Sequence, residues 1–99
     1  MNELKIKNGV KVLNCKYNNY GKYNKIIIPP SVTKIYGCFN NLDTLEEVIF
    51  ETNEDNYTRA IDYSFNNCPN LNSIIFQNTN DINITNSFNK VKTLKKVYY

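Results

Sequence analysis

One frame of apolar positions recurs along the chain with nearly constant internal spacing. The clearest copy runs from Ile35 to Phe50, and equivalent positions recur 26 residues later, a further 23 residues later and 22 residues earlier. Internal repeats of this length are typical of solenoids, in which each coil packs on the next. The four copies are Leu13, Tyr17, Tyr20, Tyr23, Ile26, Ile28; Ile35, Phe39, Leu42, Leu45, Val48, Phe50; Ile61, Phe65, Cys68, Leu71, Ile74, Phe76; and Ile84, Phe88, Val91, Leu94, Val97, Tyr99.

Each copy combines two spacings. Its end has a period of two, which places Val48 and Phe50 on one face of a strand. The part before it, from Ile35 to Leu45, has the three- and four-residue spacing of a short helical turn. We therefore predict a strand-dominated solenoid with a parallel β-sheet on one face and short helical or 3-10 turns and loops on the other.

The length of 99 residues predicts one domain. Leu4 and Ile6 lie 22 residues before Ile26 and Ile28, so the chain is expected to open with a half repeat. The predicted organisation is an N-terminal half-repeat cap at residues 1–12, followed by repeats at about 13–34, 35–60, 61–83 and 84–99.

Two segments carry a recognisable motif, IPPSVTKI at residues 28–35 and FNNCPNL at residues 65–71. They resemble the BspA-like class of leucine-rich repeats, whose pattern is approximately IPxSVTxIGxxAFxxCxxLxxVxI, over about residues 10–99. The resemblance implies a curved solenoid, used mostly for adhesion and protein binding. The chain departs from the pattern at the alanine before the phenylalanine, which is replaced by Cys38, Ser64 and Ser87.

The strand residue between the two buried positions is expected to point outward. In successive copies it forms an apolar stripe of Ile27, Ile49, Ile75 and Tyr98. This position is usually polar in ordinary leucine-rich repeats and is where partners dock, so an apolar stripe is a candidate contact surface. The alternative is that β-branched residues simply suit strands.

A row of changing charge flanks the stripe and consists of Lys25, Glu47, Ser73 and Lys96. It would either orient a partner or form a solvated edge. A second row, Asn18, Asn40, Asn66 and Asn89, follows the aromatic residue of each copy, and we expect its amides to bond backbone groups of neighbouring turns.

The longest connection holds an acidic loop with Glu51, Glu54 and Asp55. Its spacing matches no metal loop, so a solvated loop or a contact with a basic partner is expected. The segment at residues 16–25 interleaves lysines and tyrosines, but its tyrosines belong to the buried frame, which makes nucleic acid binding unlikely.

Composition narrows the function classes. The chain has no His, its three cysteines lack CxxC spacing, and its three glycines form no phosphate loop, so we expect no enzyme activity, cofactor or metal site. Cys68 takes a frame position and is expected to be a buried apolar group, and the default for the cysteines is the reduced thiol. The net charge of +3 is mild, and the 19 asparagines suggest an AT-rich genome.

No segment reads as a secretion signal or a membrane span, which favours a cytoplasmic protein. We predict a module that binds another protein through its outward stripe, with a homodimer or a capping partner at the C-terminal edge. The alternatives are an inhibitor of a host defence complex, such as an anti-CRISPR, encoded by a phage or mobile element and acting in the host cytoplasm, and a fragment of a surface adhesin.

Overall fold

Nine short strands build the molecule in the computed structural model, which describes residues 2–14, 21–52, 58–77, 82–91 and 95–98. For the last of these ranges only the backbone is described. The strands are β1 (Glu3–Lys5), β2 (Val12–Leu13), β3 (Lys25–Ile28), β4 (Lys34–Tyr36), β5 (Glu47–Phe50), β6 (Arg59–Asp62), β7 (Ser73–Phe76), β8 (Ile82–Thr85) and β9 (Lys95–Tyr98).

The strands alternate between two parallel sheets. The first sheet has the order β1-β3-β5-β7-β9, and the second has the order β2-β4-β6-β8. Each coil of chain therefore adds one strand to each sheet and lies beside the equivalent strands of its neighbours. The predicted strand-dominated repeat solenoid is confirmed.

The second sheet corrects one part of the prediction. The stretch from Ile35 to Leu45, expected to form a helical turn, begins with strand β4 and continues through a corner, and the described residues contain no helix. We define the corners as residues 37–42, 63–68 and 86–91. Their first, third and fifth residues all have a left-handed backbone: Gly37, Phe39 and Asn41; Tyr63, Phe65 and Asn67; Asn86, Phe88 and Lys90.

The left-handed residues explain the misleading spacing. A right-handed helix cannot accommodate a positive φ at every second residue, because each such residue reverses the local turn. The chain instead bends sharply while returning one apolar side chain to the interior every three or four residues. Phe39 and Phe65, with φ of 60° and 57°, are both fully buried at 0% exposure.

The core lies between the two sheets and follows the apolar frame. All six frame positions of the second and third copies are buried, at no more than 1% exposure. Their phenylalanines form two stacks, with ring centroids 5.2 Å apart for Phe39 and Phe65 and 4.9 Å apart for Phe50 and Phe76. Burying one such side chain stabilises the fold by about 1.5–3 kcal/mol.

Side-chain ladders connect the corners. Ser64 Oγ accepts a hydrogen bond from the Cys38 amide at 3.0 Å, and Ser87 Oγ accepts one from the Ser64 amide at 2.9 Å. Asn40 Oδ1 and Asn66 Oδ1 each accept a bond from the backbone N–H of the next asparagine, at 2.8 Å. The predicted asparagine ladder is thus confirmed for the side chains of Asn40 and Asn66, whereas Asn89 takes part only through its backbone N–H and Asn18 lies outside the described residues.

The strand register shows where the coils vary in length. Thirteen residues separate Leu13 from Ile26, Ile35 from Val48 and Ile61 from Ile74, which are equivalent positions in the second and first sheets. The return path from the first sheet to the second varies from copy to copy, and its longest example lies between β5 and β6.

Candidate functional site

The outer face of the first sheet carries most of the predicted site. Ile27, Ile49 and Ile75 are directly paired on adjacent strands and are half-buried. Lys5, on β1, extends the same row at its N-terminal end. The structure therefore brings three of the predicted stripe residues together as one continuous apolar row.

Strand β9 departs from the predicted register by one residue. Val97 pairs with Ile75, and Tyr98 pairs with Phe76, so Tyr98 does not continue the row of isoleucines. Lys95 pairs with Ser73, in the place predicted for Lys96, and Lys96 pairs with Ile74. The predictions for Tyr98 and Lys96 are wrong because the coil returns to the first sheet one residue earlier than in the copies before it, and a one-residue shift exchanges the two sets of alternate strand positions.

A charged ladder lies beside the isoleucine row. Lys25 Nζ lies 3.8 Å from Glu3 Oε1 and 3.5 Å from Glu47 Oε1, and Ser73 Oγ donates to Glu47 Oε2 at 3.4 Å. These side chains are substantially exposed, so the pairs contribute at most about 1 kcal/mol each to stability. Their effect is to hold one ammonium group between two carboxylates at a defined place on the sheet.

A shallow groove of about 220 Å³ borders this ladder. It is lined by Asn24, Lys25, Glu46, Glu47 and Asn72. Asn24 Oδ1 is buried and has no hydrogen-bond partner within the described ranges. The groove holds more carboxylates than ammonium groups, although the chain as a whole is positive.

The acidic loop lies only partly within the described residues. Glu51 is half-buried, and its amide donates to the Ile28 carbonyl at 2.9 Å. Glu54 and Asp55 lie outside the described residues. The structure therefore places one of the three predicted acidic residues, directly after β5.

Arg59 follows this loop and is the first residue of β6, where it is only 3% exposed. One guanidinium nitrogen, Nη2, donates to the Pro29 carbonyl at 2.7 Å, while Nε and Nη1 have no hydrogen-bond partner among the residues that the structure describes. The guanidinium carbon lies 5.8 Å from the centroid of the Phe50 ring. Burial lowers the pKa of Arg59, and the nearby Glu51 carboxylate raises it.

The outer face of the second sheet holds a surface that the sequence pattern did not predict. Tyr36 and Tyr63 are 51% and 50% exposed, and their rings meet edge to face with centroids 5.8 Å apart. Lys34 lies over the Tyr36 ring, and Val12 on the neighbouring strand is 53% exposed. The signal was the position of Tyr36 directly after the buried Ile35, which in a strand points it to the opposite side.

The cysteines behave as core residues. Cys38 and Cys68 are fully buried, which confirms the buried assignment of Cys68. Cys68 Sγ contacts the Phe39 carbonyl at 3.3 Å. Burial raises the pKa of the Cys68 thiol, so this group is a poor nucleophile near neutral pH. Cys15 lies outside the described residues.

Within the described ranges, no group of three or more His, Cys, Asp or Glu residues is placed to hold a metal ion. Nor does any helix in those ranges have the length and hydrophobicity needed to cross a membrane.

Comparison with known proteins agrees with the repeat geometry. A family model for the BspA-type leucine-rich repeat region matches residues 1–99 in six copies. Comparisons with curated proteins and with solved structures gave no match. The family model spans the whole chain, and the structure shows the parallel coils that such repeats require. The chain belongs to the BspA-type leucine-rich repeat family.

Proposed function

We propose that this domain is a non-enzymatic module that binds a partner protein through the outer face of its first sheet. Leucine-rich repeat domains generally mediate protein interactions and generally lack enzymatic activity. The single observation that carries the choice of face is the continuous row of Ile27, Ile49 and Ile75, paired strand to strand beside a charged ladder. An apolar centre with a polar rim is the usual anatomy of a protein interface.

The groove beside the row adds a charge preference. Glu46 is exposed, and the Glu47 carboxylate already holds Lys25, so Glu46 is the groove carboxylate that would meet a second cation. A partner that places apolar side chains on the isoleucines and a lysine or arginine at the groove would match this face. The charges would mainly set the orientation and the association rate.

The test replaces the row while leaving the strands intact. Ile49→Thr with Ile75→Thr keeps β-branching, and Ile49→Asp with Ile75→Asp adds charge; Thr85→Asp, on the outer face of the second sheet, is the matched charged control. Affinity purification with mass spectrometry on all four proteins identifies candidate partners. We expect at least one protein that the wild type and the Thr85→Asp variant retain and that both row variants lose, with affinity reduced at least tenfold.

Circular dichroism confirms that each variant is folded. Retention of the same proteins by the folded aspartate variant and by the wild type would refute the contact at the first sheet.

The exposed tyrosines support a second candidate contact. Tyrosine supplies a large contact area with few rotatable bonds and is common at the centres of interfaces. The Tyr36→Ser variant distinguishes the tyrosine surface from the isoleucine row, because residue 36 lies on the second sheet. Loss of a partner by this variant alone would assign binding to the tyrosine surface instead of the isoleucine row.

At the C-terminal edge of the stack we propose a capping contact with a partner or a second copy, because the outer edges of β8 and β9 have no neighbouring strand among the described residues. An inhibitor of a defence complex and an adhesin fragment would both use the same scaffold. Genomic neighbourhood distinguishes these two roles.

A further inference from the structure

The inner corners of the stack are joined by a repeated set of hydrogen bonds. The Gly37 amide donates to a carbonyl of the strand before the next corner at 2.9 Å, and the Asn41 amide donates to a carbonyl of that corner at 2.8 Å. The amides of Tyr63 and Asn67 make the equivalent bonds to the following coil, both at 2.9 Å. In the other direction, the Phe65 and Phe88 amides donate to the carbonyls of the preceding coil at 3.1 Å. With the serine and asparagine ladders, the corner at residues 63–68 is bonded to the corners on both sides of it.

The last corner, residues 86–91, has the same groups with nothing described beyond them. Within the described ranges, the amides of Asn86, Ser87 and Lys90 have no hydrogen-bond partner, nor do the Ser87 carbonyl and the Asn89 side-chain amide. In the earlier corners the equivalent groups have partners. The amides of the first and fifth corner residues donate to carbonyls, and the amide of the second donates to a serine hydroxyl. The carbonyl of the second residue accepts from the amide of a phenylalanine, and the asparagine side chain accepts from the backbone amide of an asparagine. The unpaired groups therefore specify which hydrogen-bonding groups a bound segment must supply.

Apolar side chains at this end are also incompletely covered. The Phe88 ring stacks on Phe65 with centroids 5.1 Å apart and planes 3° from parallel, yet Phe88 is only half-buried, unlike Phe39 and Phe65. Ile84 and Val91 are half-buried as well, whereas their equivalents Ile61 and Cys68 are fully buried. The outer side of the Phe88 ring can accept a further aromatic ring.

Charge narrows the choice of occupant. Residues 86–99 contain four lysines, at 90, 92, 95 and 96, and no acidic residue. Lys90 is exposed at this corner, so two copies of the corner facing each other would bring like charges together, which opposes association. An acidic segment is favoured for the same reason.

We propose that the corner at residues 86–91 binds a turn of another polypeptide that has the sequence pattern Ser-Phe-Asn and acidic neighbours, and that this turn continues the stack as one more coil. The serine hydroxyl accepts from the Ser87 amide, the ring stacks on Phe88, and the amide of the asparagine donates to Asn89 Oδ1. The proposal specifies the capping contact introduced under Proposed function and is independent of the contact at the first sheet.

The probe is a blocked peptide of residues 60–70 of this chain carrying Cys68→Ser, because those residues already form such a turn on the preceding corner. It is titrated into the isotope-labelled full chain and followed by NMR. We expect shift changes confined to residues 84–91 and amide exchange at Asn86, Ser87 and Lys90 slowed at least tenfold. A peptide with Ser64→Ala and Phe65→Ala should bind at least tenfold more weakly.

Two comparisons test the detailed chemistry. Asn89→Ala in the protein should weaken binding at least fivefold, whereas Asn83→Ala, an exposed asparagine on the outer face of β8, should not. A peptide with Asn67→Asp should bind several-fold more tightly than one with Asn67→Lys at low salt, and the difference should shrink as salt is raised.

The proposal is overturned if millimolar peptide leaves residues 84–91 unchanged, if the altered peptide binds equally well, or if the shifts appear on Ile49 and Ile75. Sedimentation of the chain alone gives one further result: a dimer in which Asn86, Ser87 and Lys90 are already protected would assign this end to a second copy and refute the acidic segment. A failure of any of these kinds leaves the isoleucine variants as a separate test of the first sheet.

Discussion

Lys90 illustrates the conformational strain that a corner imposes on a single residue. It is exposed and left-handed, with φ of 56°, at the position where the other two corners have asparagine. A non-glycine residue in this conformation costs about 1–2 kcal/mol, and asparagine tolerates it better than lysine does.

We predict that Lys90→Gly stabilises the protein by about 0.5–1 kcal/mol, since glycine adopts a positive φ without steric cost but loses more entropy on folding. The midpoint of thermal unfolding should rise by about 2–6 °C. Lys90→Ala is the matched control and should change little, because alanine keeps the Cβ. A stabilisation equal to that of glycine in the alanine variant would show that lysine charge, not backbone strain, is responsible.

Cys68 links stability to pH. Its pKa is raised by burial, so the folded state holds the thiol proton more tightly than the unfolded state does. The stability linked to this proton is complete below the unfolded thiol pKa of about 8.5 and is lost as pH rises from there through the folded pKa.

We therefore predict that the unfolding free energy of the wild type falls with alkaline pH more steeply than that of Cys68→Ala. The comparison is made by urea denaturation at pH 7, 9 and 10.5, and the difference between the two proteins isolates the contribution of residue 68. Parallel pH dependence in the two proteins would contradict a buried thiol at position 68.

Among the structural elements, the apolar frame was predictable because each buried position recurs in several copies. The second sheet was not, because β2, β4 and β6 each bury a single apolar side chain, Leu13, Ile35 and Ile61, and one position cannot reveal a period of two. Ile35 and Ile61 were placed in the interior correctly, but their spacing from Phe39 and Phe65 fits both a helical turn and a corner with alternating left-handed residues.

The candidate site was also predicted only in part. Ile27, Ile49 and Ile75 were found because alternation fixes which strand residues point outward. Tyr98 was misplaced because the copy spacing of 23 residues holds for β6 and β8, whereas β7 and β9 pair with a spacing of 22. Apolar pattern alone did not distinguish these spacings, since Val97, Tyr98 and Tyr99 are all compatible with an inward position.

The serine ladder is the element that most directly joins one coil to the next. Ser64 is fully buried, and its hydroxyl accepts from the Cys38 amide and donates to the Asp62 carbonyl. We predict that Ser64→Ala destabilises the protein by about 1–3 kcal/mol, because it removes two hydrogen bonds of a buried side chain, one from the Cys38 amide and one to the Asp62 carbonyl.

Ser73→Ala is the matched control for urea denaturation. Its hydroxyl lies on the outer face and reaches only Glu47, at 3.4 Å, so its loss should cost less than about 0.5 kcal/mol. The family pattern has alanine at the position of Ser64, so the fold should persist in both variants. Equal stabilities for the two variants would mean that the ladder contributes nothing to stability.

At the scale of the whole molecule, a stack of coils is stabilised by contacts between neighbours, so its ends should open more easily than its middle. The last described coil has half-buried Ile84 and Phe88, whereas the coils before it have fully buried equivalents.

We predict that native-state amide hydrogen exchange will show a gradient along the stack. The bonded amides of Asn41 and Phe65 should exchange at least tenfold more slowly than that of Phe88, although all three are bonded to a neighbouring coil. The local free energies of opening obtained at several denaturant concentrations check this. Identical values for all three would show that the stack unfolds only as a single cooperative unit.

The thirteen-residue path through the first three coils has a consequence for how such a chain can be modified. Because paired amides and stacked rings join the corner at residues 63–68 to both of its neighbours, an inserted residue there would displace the ladders in two neighbouring coils. The return path already differs in length from coil to coil and is longest between Phe50 and Arg59. Inserted loops, natural or engineered, should therefore be tolerated at that segment. The corners should instead keep their length when a coil is duplicated.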